Sequence, residues 1–590
     1  MHTSYWIATI FTVAICFGLV IFRGDYRQSH PTDRRILAAD AIDPSVTYSN
    51  ILRNDYVGPE ACAECHQTQY ELWKTHPHHC MNQLPDCDSV QGDFINATLS
   101  LPTGNVQFTT EASKYLMTVI KNDTVHRRYE VTRTVGSRYM QAYIGRQIEG
   151  PEAVEHEIYQ EHRLPFAYWF KLKRWFPRKY LNIHGAEELS DGIPQCEGID
   201  YTPKIQVYQK VCMNCHNTYP YVNRIFQSQL VGFRNATIAA SIEPLSEALN
   251  SSGIAVAPTS DSFAKLNERL DPNHDLVTQG ISCESCHLGG KEHALRAKEI
   301  RFLPTSQFTQ ILPKDQHHQL TNNRKDAATI NGVCVQCHAG NTEMFPNGAG
   351  KGNSREALDL IGGFCASQMR CVDCHEPHTG TPYPSGFSDQ PKHIDVCIKC
   401  HTQFRDKDTA LSHGGHPVTA DVNCLDCHMP RYTRGIDELI RTHRICMPVE
   451  PSMVEKGMAN ACNACHLDKP VRWTLNQLER QWGRTIKPQP NWSSYHDLDE
   501  PAGDVWLKSE DSHMRLLATQ SIANSTQSNE RTGDMIRALN DPESVNRVFA
   551  SFSVSRLLGQ PLDKPLTVDI TAPPATRARQ IDALIKSLAP

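Results

Sequence analysis

Cysteine and histidine are the residues of this chain whose types and spacing could do chemistry. Of its 22 cysteines, 16 fall into eight copies of the pattern Cys-x-x-Cys-His, and in every copy the His directly follows the second Cys. The cysteine pairs are Cys62/Cys65, Cys212/Cys215, Cys283/Cys286, Cys334/Cys337, Cys371/Cys374, Cys397/Cys400, Cys424/Cys427 and Cys462/Cys465. The histidines that follow them are His66, His216, His287, His338, His375, His401, His428 and His466.

This spacing predicts covalent attachment of haem c. Two cysteines three positions apart share one face of a helical turn, so both thiols can form thioethers with the vinyl groups of one haem. The adjacent His can then bind the iron through an imidazole nitrogen. Zinc is the main alternative, but structural zinc sites usually combine two separated cysteine pairs and do not need a His at this position. A redox Cys-x-x-Cys pair does not need one either. We therefore predict eight covalently bound haems.

Other histidines are candidates for the sixth coordination position of the irons. Twenty of the 28 histidines remain after the motif histidines are set aside. The strongest candidates by their position near the motifs are His78, His293, His378, His416 and His443. Weaker candidates are His184 and His274, followed by His393 and the pair His317/His318. The alternative for each is a solvated or capping histidine. The sequence assigns none of them to a particular haem.

The composition indicates that something other than aliphatic side chains fills the interior. Hydrophobic residues make up 39% of the chain, and the mean hydropathy is −0.46. The first cysteines of successive motifs are 150, 71, 51, 37, 26, 27 and 38 residues apart, so residues 283–466 hold six motifs on a short scaffold. We expect a mainly α fold of low secondary-structure content, organised around packed haems, with its core at 201–470. The chain without haem is not expected to fold.

The N-terminal segment 1–25 is predicted to direct the chain out of the cytoplasm. Residues 5–21 are nearly all apolar and contain no charge, which is typical of a signal peptide or a short membrane anchor. No small-x-small cleavage site follows closely, and this favours an anchor in the inner membrane. Arg23 and Arg27 on the translocated side argue against export, and a buried helix is a third interpretation. Haem attachment outweighs that objection, so a periplasmic or other extracytoplasmic location is expected. The net charge of −6 does not suggest nucleic-acid binding.

Two regions outside the motif-rich core have sequence patterns that predict a different secondary structure. Within an N-terminal haem module at 50–200, a small β-containing insertion is predicted at about 90–200, with strands at 106–110, 115–120 and 129–135 and a turn at Asn122-Asp123. The aromatic and basic stretch 163–180 favours a packed subdomain over a partner-binding or anion-binding surface.

Residues 505–590 contain no haem motif and no cysteine. Helical apolar spacing at 514–522, 535–539 and 543–558 resembles a HEAT-type repeat, a module used for stacking or docking. Cys80 and Cys87 are close enough in sequence to form a disulfide in an oxidising compartment, and the free-thiol alternative stays open.

Several motifs carry a family resemblance. The segments VGPEACAECH (57–66), CVDCHEPH (371–378), CLDCHMP (424–430) and NACNACH (460–466) resemble bacterial multihaem cytochromes c of the doubled-CXXCH type, related to nitrification-type tetrahaem cytochromes. The likeness covers roughly 50–470. It implies haem c, export and electron transfer, with His78, His378, His416 and His443 as distal ligands. The final module in such relatives often leads into helical repeats.

Two functions from different classes follow as expectations. The first is an electron-transfer protein that connects a quinol-linked membrane complex with a periplasmic redox partner. The second is a multihaem oxidoreductase that acts on a small nitrogen or sulfur compound at one open haem, expected at His66 or His216 because most chain surrounds them. The chain has no Cys-x-x-Cys-Lys motif, which carries the catalytic haem of pentahaem nitrite reductases. Its only tyrosine after the last motif is Tyr495, whereas octahaem hydroxylamine oxidoreductases bond a tyrosine from the C-terminal region to their catalytic haem. The chain therefore does not match these two enzymatic patterns. A docking subunit is a third, weaker interpretation.

Overall fold

The structure of the chain is a computed structural model. It describes residues 36–37, 48–101, 104–181, 205–225, 236–296, 298–313, 326–379, 391–489, 498–525 and 528–588. The N-terminal segment 1–25, His184, His317 and His318 lie outside these described residues, as does Tyr495. Within the described ranges, no helix is both long and apolar enough to cross a membrane.

An eight-stranded antiparallel sheet is the largest regular element. Its strands are Asn82–Gln83, Ala97–Leu101, Gly104–Glu111, Lys114–Lys121, Thr124–Val135, Met140–Glu149, His162–Trp169 and Arg174–Pro177. The last seven of these pair in sequence order, and Asn82–Gln83 pairs with Thr124–Val135. The sheet is therefore a meander built from local pairings, inside the long interval between the first two motifs.

Alternating apolar residues and a tight turn explain the central hairpins. Val106 pairs with Val119 across the sheet, and both side chains are buried. Asn122 and Asp123 both have positive φ values, of 49° and 59°, which suits the two-residue turn between strands. Strands therefore occur at all three stretches where the sequence predicts them.

Aromatic side chains fill the inside of the sheet. Phe108 and Trp175 stack at 3.8 Å between ring centres, and Phe94 meets Trp175 edge to face at 5.1 Å. Trp169 and Phe176 are also buried. The aromatic and basic stretch 163–180 is therefore largely packed inside the protein.

The prediction of a mainly α fold is wrong. About 40% of the described residues are helical and 17% are in strands, and the sheet is a major structural unit rather than a small insertion. The physical reason lies in the 150-residue interval before the second motif, where consecutive short strands with turn residues continue through residue 177. The short helical turns of the haem motifs, which predict a mainly α fold, dominate only the rest of the chain.

Short helices carry the motif-rich part of the chain. The helices up to the last motif are Pro59–Ala63, Gln67–Lys74, Tyr208–Val211, Met213–His216, Val222–Ile225, Ile242–Ser251, Ser260–Ala264, Cys283–His287, Lys291–Arg296, Ala327–Val335, Glu356–Ile361, Cys371–Cys374, Pro391–Ile398, Lys407–His413, Cys424–His428, Pro451–Glu455, Ala461–Cys465. Two small sheets in the described part join distant segments: Ile36–Leu37 with Ala236–Ala240 and Thr309–Pro313, and Asn217–Thr218 with Thr278–Gln279; Arg431–Arg434 and Leu439–Arg441 form a local hairpin. These elements are too short to be stable alone.

The C-terminal part is helical and has an ordinary apolar core. After Val471–Trp482, its helices are Ala502–Leu507, Ser512–Ala523, Thr532–Arg537, Ser544–Leu557 and Pro574–Leu588. Leu517, Val548 and Phe549 are fully buried between them. Helices occur where the sequence predicts them, while their assignment as a HEAT-like repeat stays a prediction.

Candidate haem-attachment sites

The motif sequences themselves shape the helical turns that carry the thiols. At the seventh motif, the side chain of Asn423 accepts a hydrogen bond from the amide of Leu425 (2.9 Å), and Asp426 accepts one from the amide of Asn423 (2.8 Å). At the eighth motif, Asn460 accepts from the amide of Asn463 (2.9 Å). Such caps satisfy backbone amides that a short helix would otherwise leave unpaired.

A helical hydrogen bond then sets the His beside the two thiols. The amide of His66 donates to the carbonyl of Cys62 (2.9 Å), and the amide of His338 donates to that of Cys334 (2.9 Å). The same bond closes the motifs at His375, His401 and His466. Every cysteine in the described part of the chain is a free thiol, including Cys80 and Cys87. The thiol pairs are thus available for thioether bonds. We number the sites 1 to 8 in chain order of the motifs.

Three motif cysteines are more exposed than the others. Cys65, Cys400 and Cys465 are exposed, whereas the other thirteen motif cysteines are half-buried. Each of the three is the second cysteine of its motif, and Cys65 and Cys400 come just after the ends of the helices Pro59–Ala63 and Pro391–Ile398. Exposure leaves them accessible to a vinyl group, so their attachment to haem stays a prediction.

Five motif histidines each face a histidine from outside the motifs. The ring centres are 6.2 Å apart for His66 and His293, 6.5 Å for His338 and His78, 6.4 Å for His287 and His378, 6.2 Å for His375 and His443, and 6.2 Å for His466 and His416. In four pairs the ring planes lie within 22° of parallel, whereas His78 and His338 are tilted by 58°.

This spacing fits one iron between two imidazoles. A metal–imidazole bond of about 2 Å on each side places the two ring centres roughly 6 Å apart. Each pair combines one motif histidine with one non-motif histidine, as two axial ligands of a single haem would. The described residues contain no group of three or more His, Cys, Asp or Glu side chains suited to a metal ion, which is the arrangement that zinc would use. The residues present therefore fit haem c.

Burial keeps several of these imidazoles neutral. It lowers the pKa of His78 to about 3, with nearby His76 and His338 adding to the effect. It also lowers the pKa values of His287 and His375 to about 4. A neutral imidazole is the form that binds a metal ion.

Three motif histidines have no such partner within the described residues. His216 at site 2 is half-buried, and desolvation together with the nearby Arg163 lowers its pKa to about 4. His401 at site 6 has a ring contact with Phe404 at 6.4 Å. His428 at site 7 has its Nδ1 2.9 Å from the carbonyl oxygen of Cys446.

Of the weaker candidates in the described part, His274 lies at the surface with 81% of its side chain exposed and is not near a motif histidine. His393 interacts electrostatically with His375. His413, which the sequence argument missed, interacts electrostatically with His428 and has a ring contact with Phe404 at 4.6 Å. Its only sequence signal is its place three residues before His416.

A carboxylate that the sequence did not reveal orients one motif histidine. Glu356 Oε2 lies 3.0 Å from His338 Nδ1 at site 4. Burial raises the pKa of Glu356, but the hydrogen bond and charge of His338 outweigh it and hold the pKa at about 2. With haem bound, the ionised carboxylate would accept a hydrogen bond from Nδ1 of a neutral His338 and leave Nε2 free to bind the iron; a carboxylate is a usual outer partner of a metal-binding histidine.

Thiols from different motifs lie against one another and show which sites are neighbours. Hydrogen-bonding contacts join the thiols of site 1 to site 3, site 2 to site 4 and site 4 to site 5, through the pairs Cys62/Cys283, Cys215/Cys337 and Cys334/Cys371. Electrostatic interactions, without a hydrogen bond, link site 3 to 4, site 5 to 6, site 6 to 7 and site 7 to 8, through the pairs Cys286/Cys337, Cys374/Cys397, Cys397/Cys424 and Cys427/Cys462.

The neighbours form one continuous series with a single side branch. Sites 1, 3, 4, 5, 6, 7 and 8 follow one another, and site 2 adjoins site 4 beside this series. Chain order and spatial order therefore differ only at site 2.

Comparisons with known proteins agree with haem attachment. The chain matches no established protein-family model. It is 22% identical over 263 residues to the C-type polyheme cytochrome OmcB of Geobacter sulfurreducens, covering 36% of this chain and 34% of that protein. It is 21% identical over 418 residues to the dissimilatory sulfite reductase MccA of Wolinella succinogenes, covering 64% of this chain and 51% of that protein. The chain thus spans about half or less of the curated relatives it matches.

Two solved structures resemble the chain at 14% identity. They are the outer cell wall cytochrome OcwA, with a TM-score of 0.33 over 91% of this chain and 100% of that one, and the octaheme sulfite reductase MccA of Wolinella succinogenes, with a TM-score of 0.32 over 92% of this chain and 86% of that one. One curated relative is named a c-type polyheme cytochrome, and together with the repeated Cys-x-x-Cys-His motif it supports covalently bound haem c and a multihaem redox function for this chain.

Proposed function

We propose that this chain is an extracytoplasmic electron-transfer protein that binds eight haems c, five of them through the histidine pairs of sites 1, 3, 4, 5 and 8. Haem iron supplies one-electron chemistry when it is bound. The chain supplies thioether attachment, axial imidazoles and the spatial order of the sites. The observation that carries the proposal is the continuous series of neighbouring sites, which would bring the edges of successive haems together.

The proposed ligands follow from the pairs described above. His293, His378, His78, His443 and His416 are the distal ligands at sites 1, 3, 4, 5 and 8, in the pairing His66/His293, His287/His378, His338/His78, His375/His443 and His466/His416. Two imidazoles per iron give a low-spin centre that changes little on reduction, which favours electron transfer over chemistry on a ligand. An inner-membrane quinol-linked complex or a periplasmic acceptor is the proposed class of partner.

Replacing the proposed distal histidines one at a time tests the assignment. In the variant His443→Ala, we expect one low-spin haem to become high-spin in the electron paramagnetic resonance spectrum, since the iron of site 5 loses its sixth ligand. The matched control is His274→Ala, because that imidazole is exposed and remote from the motifs. A His443→Ala protein with full haem content and an unchanged spectrum would remove His443 from the ligand set.

The number of haems has its own test. The intact mass of the mature protein should exceed that of its polypeptide by eight haems. A colourless protein, or a mass equal to that of the bare polypeptide, would overturn the function altogether.

A second candidate function is favoured by the place of site 2. It adjoins site 4 beside the series, its His216 is half-buried, and Arg163 lies close enough to act on it electrostatically. A site at the end of a branch can receive electrons without interrupting transfer along the series. This arrangement suits a multihaem oxidoreductase acting on a small nitrogen or sulfur compound, and one curated relative bears the name of a sulfite reductase. Site 1 is less suited, because His293 faces His66.

Spin state separates the two functions. Transfer alone predicts an all-low-spin wild-type protein that does not respond to azide. The oxidoreductase predicts one high-spin haem whose spectrum changes when azide is added. The variant His184→Ala serves as the control, because a high-spin signal that appears only in this variant would identify His184 as a ligand.

A further inference from the structure

Arg224 is a buried guanidinium at the point where the side branch meets the series. The arginine is 4% exposed and belongs to the short helix Val222–Ile225, whose four residues are all buried. Its Nη1 donates to the carbonyl oxygen of Gln336 at 3.4 Å and lies 3.9 Å from the sulfur of Cys337. The guanidinium also lies over the ring of Tyr219, 4.5 Å from the ring centre.

Three attachment sites surround this charge. Cys337 belongs to site 4, and the guanidinium also interacts electrostatically with Cys215 of site 2 and Cys286 of site 3. Site 2 adjoins site 4 through a thiol hydrogen bond, and a thiol of site 3 interacts electrostatically with one of site 4. Arg224 is therefore placed at the junction of sites 2, 3 and 4.

The positive charge is not compensated by a carboxylate of the described chain. The described residues form many ion pairs, but in none of them does an Asp or Glu pair with Arg224. Its polar contacts are a backbone carbonyl and a thiol, and its ring contact is with a tyrosine. A buried charge is costly, and burying one without a countercharge is unusual unless the charge acts on something nearby.

From this placement we infer that the charge of Arg224 raises the reduction potentials of the haems at the junction, above all that of the haem at site 4. A fixed positive charge disfavours the oxidised iron, which is one unit more positive than the reduced iron. In a buried environment this interaction is screened much less than in water. The junction would then favour the arrival of electrons at site 4 from its neighbours. The inference rests on the proposed haem attachment at sites 2, 3 and 4.

The experiment is a potentiometric titration of the mature protein followed by absorption and electron paramagnetic resonance. Site 4 carries its own label, because its imidazoles are tilted by 58° while the other four pairs lie within 22° of parallel. Ligand planes that are far from parallel give a strongly anisotropic low-spin signal. This signal therefore reports on site 4 among the five paired sites.

The first variant is Arg224→Met, because an apolar chain of similar volume removes the charge; it also removes the hydrogen bond to the carbonyl oxygen of Gln336. We expect the one-electron equilibrium of site 4 to shift about tenfold towards the oxidised form, equal to 59 mV for one electron. Arg224→Lys keeps the charge, so its potentials are expected to stay near those of the wild type. Arg547→Gln is the control for loss of a buried guanidinium elsewhere, and it should leave all potentials unchanged.

Three outcomes would overturn the inference. Arg224→Met could carry all its haems and titrate like the wild type, as it would if a haem propionate already neutralised the arginine. Arg224→Lys could lower the potential as much as Arg224→Met, which would mean that shape matters and charge does not. Arg224→Met and a second charge-free variant, Arg224→Gln, could both fail to bind haem while Arg224→Lys matures, which would give Arg224 a role in attachment. Failure of the proposed function is distinguishable, since the wild type would then lack the low-spin haem signals themselves.

Discussion

Two parts of this molecule are held together by different means. Between residues 361 and 430, three of the described residues are buried, namely Leu411, Leu425 and Pro430, although this stretch carries three complete motifs. In the C-terminal helices, by contrast, all twelve residues from Ser544 to Ser555 are buried. The first stretch has almost no core made of side chains, and the second has an ordinary one.

The difference shows where haem takes the place of side chains. A short helix such as Cys371–Cys374 cannot persist in water without tertiary contacts. Apolar porphyrins bonded at sites 5, 6 and 7 would supply these contacts, as a structural metal does in a small metal-dependent domain. The C-terminal helices need no such help, because burial of their own apolar side chains stabilises them.

The largest expected effect comes from removing one haem from the poorly buried stretch. In the double variant Cys397→Ser/Cys400→Ser, we expect residues 391–430 to lose their protection from amide hydrogen exchange, because their main apolar partner is missing. The helix Ser544–Leu557 should stay protected in the same sample. Hydrogen exchange read by mass spectrometry measures both parts at once.

The matched control is Cys80→Ser/Cys87→Ser, which also replaces two cysteines but touches no motif. It should leave the exchange pattern unchanged. If residues 391–430 stayed protected without the haem of site 6, the contrast between the two parts would be wrong.

A smaller effect is expected from a buried charge in the C-terminal part. Arg547 is 1% exposed and donates from Nε to the carbonyl of Ile570 (2.9 Å) and from Nη1 to that of Asp541 (2.8 Å). Its Nη2 also donates to the hydroxyl of Tyr180 (3.2 Å), which ties the helices to the end of the sheet. Hydrogen bonds from a charged donor contribute about 1.5–3 kcal/mol each, so Arg547→Ala should lower the free energy of unfolding by about 3 kcal/mol.

Calorimetry of Arg547→Ala should therefore show unfolding at a lower temperature than in the wild type, while the haem absorption spectrum stays unchanged. Arg556→Ala is the control, because Arg556 lies on the exposed side of the same helix. Equal loss of stability in both variants would contradict a specific role for the buried guanidinium.

The two parts also differ in what the sequence could predict. The Cys-x-x-Cys-His motif predicts its chemistry from five consecutive residues, and the apolar spacing of the C-terminal part predicts its helices. Each of the five leading distal candidates lies opposite a motif histidine, but their pairing needed the fold. His78, for example, faces a residue 260 positions away, His338. No local pattern encodes such a contact.

The missed features share this non-local origin. Glu356 reaches His338 across 18 residues, and Arg224 reaches Cys337 across 113. A single Glu or Arg carries no signal of its own until the fold brings it to a motif. The sheet is a different case. Its strands are local and visible in the sequence, but the more conspicuous haem motifs predict helical turns over most of the chain.

The smallest effect is expected from replacing Glu356, the carboxylate beside His338. It tests how charge, rather than burial, sets the reduction potential of site 4. Glu356 accepts a hydrogen bond from Nδ1 of His338, which makes the imidazole a stronger donor to iron and favours the oxidised state. Glu356→Gln keeps a hydrogen-bonding group but removes the charge, so the reduction potential of site 4 should rise, by a tenfold shift of the one-electron equilibrium at most.

This sign is opposite to that expected for Arg224→Met, and potentiometry of the same anisotropic signal reads both. Glu343→Gln is the control, since Glu343 is 54% exposed and pairs with Lys351 rather than with a motif histidine. A potential that fell in Glu356→Gln would contradict the orienting role. Because both charges would act on the haem of site 4 with opposite sign, the double variant should return towards the wild-type potential. A double variant that followed either single change would mean that the two residues act on different haems.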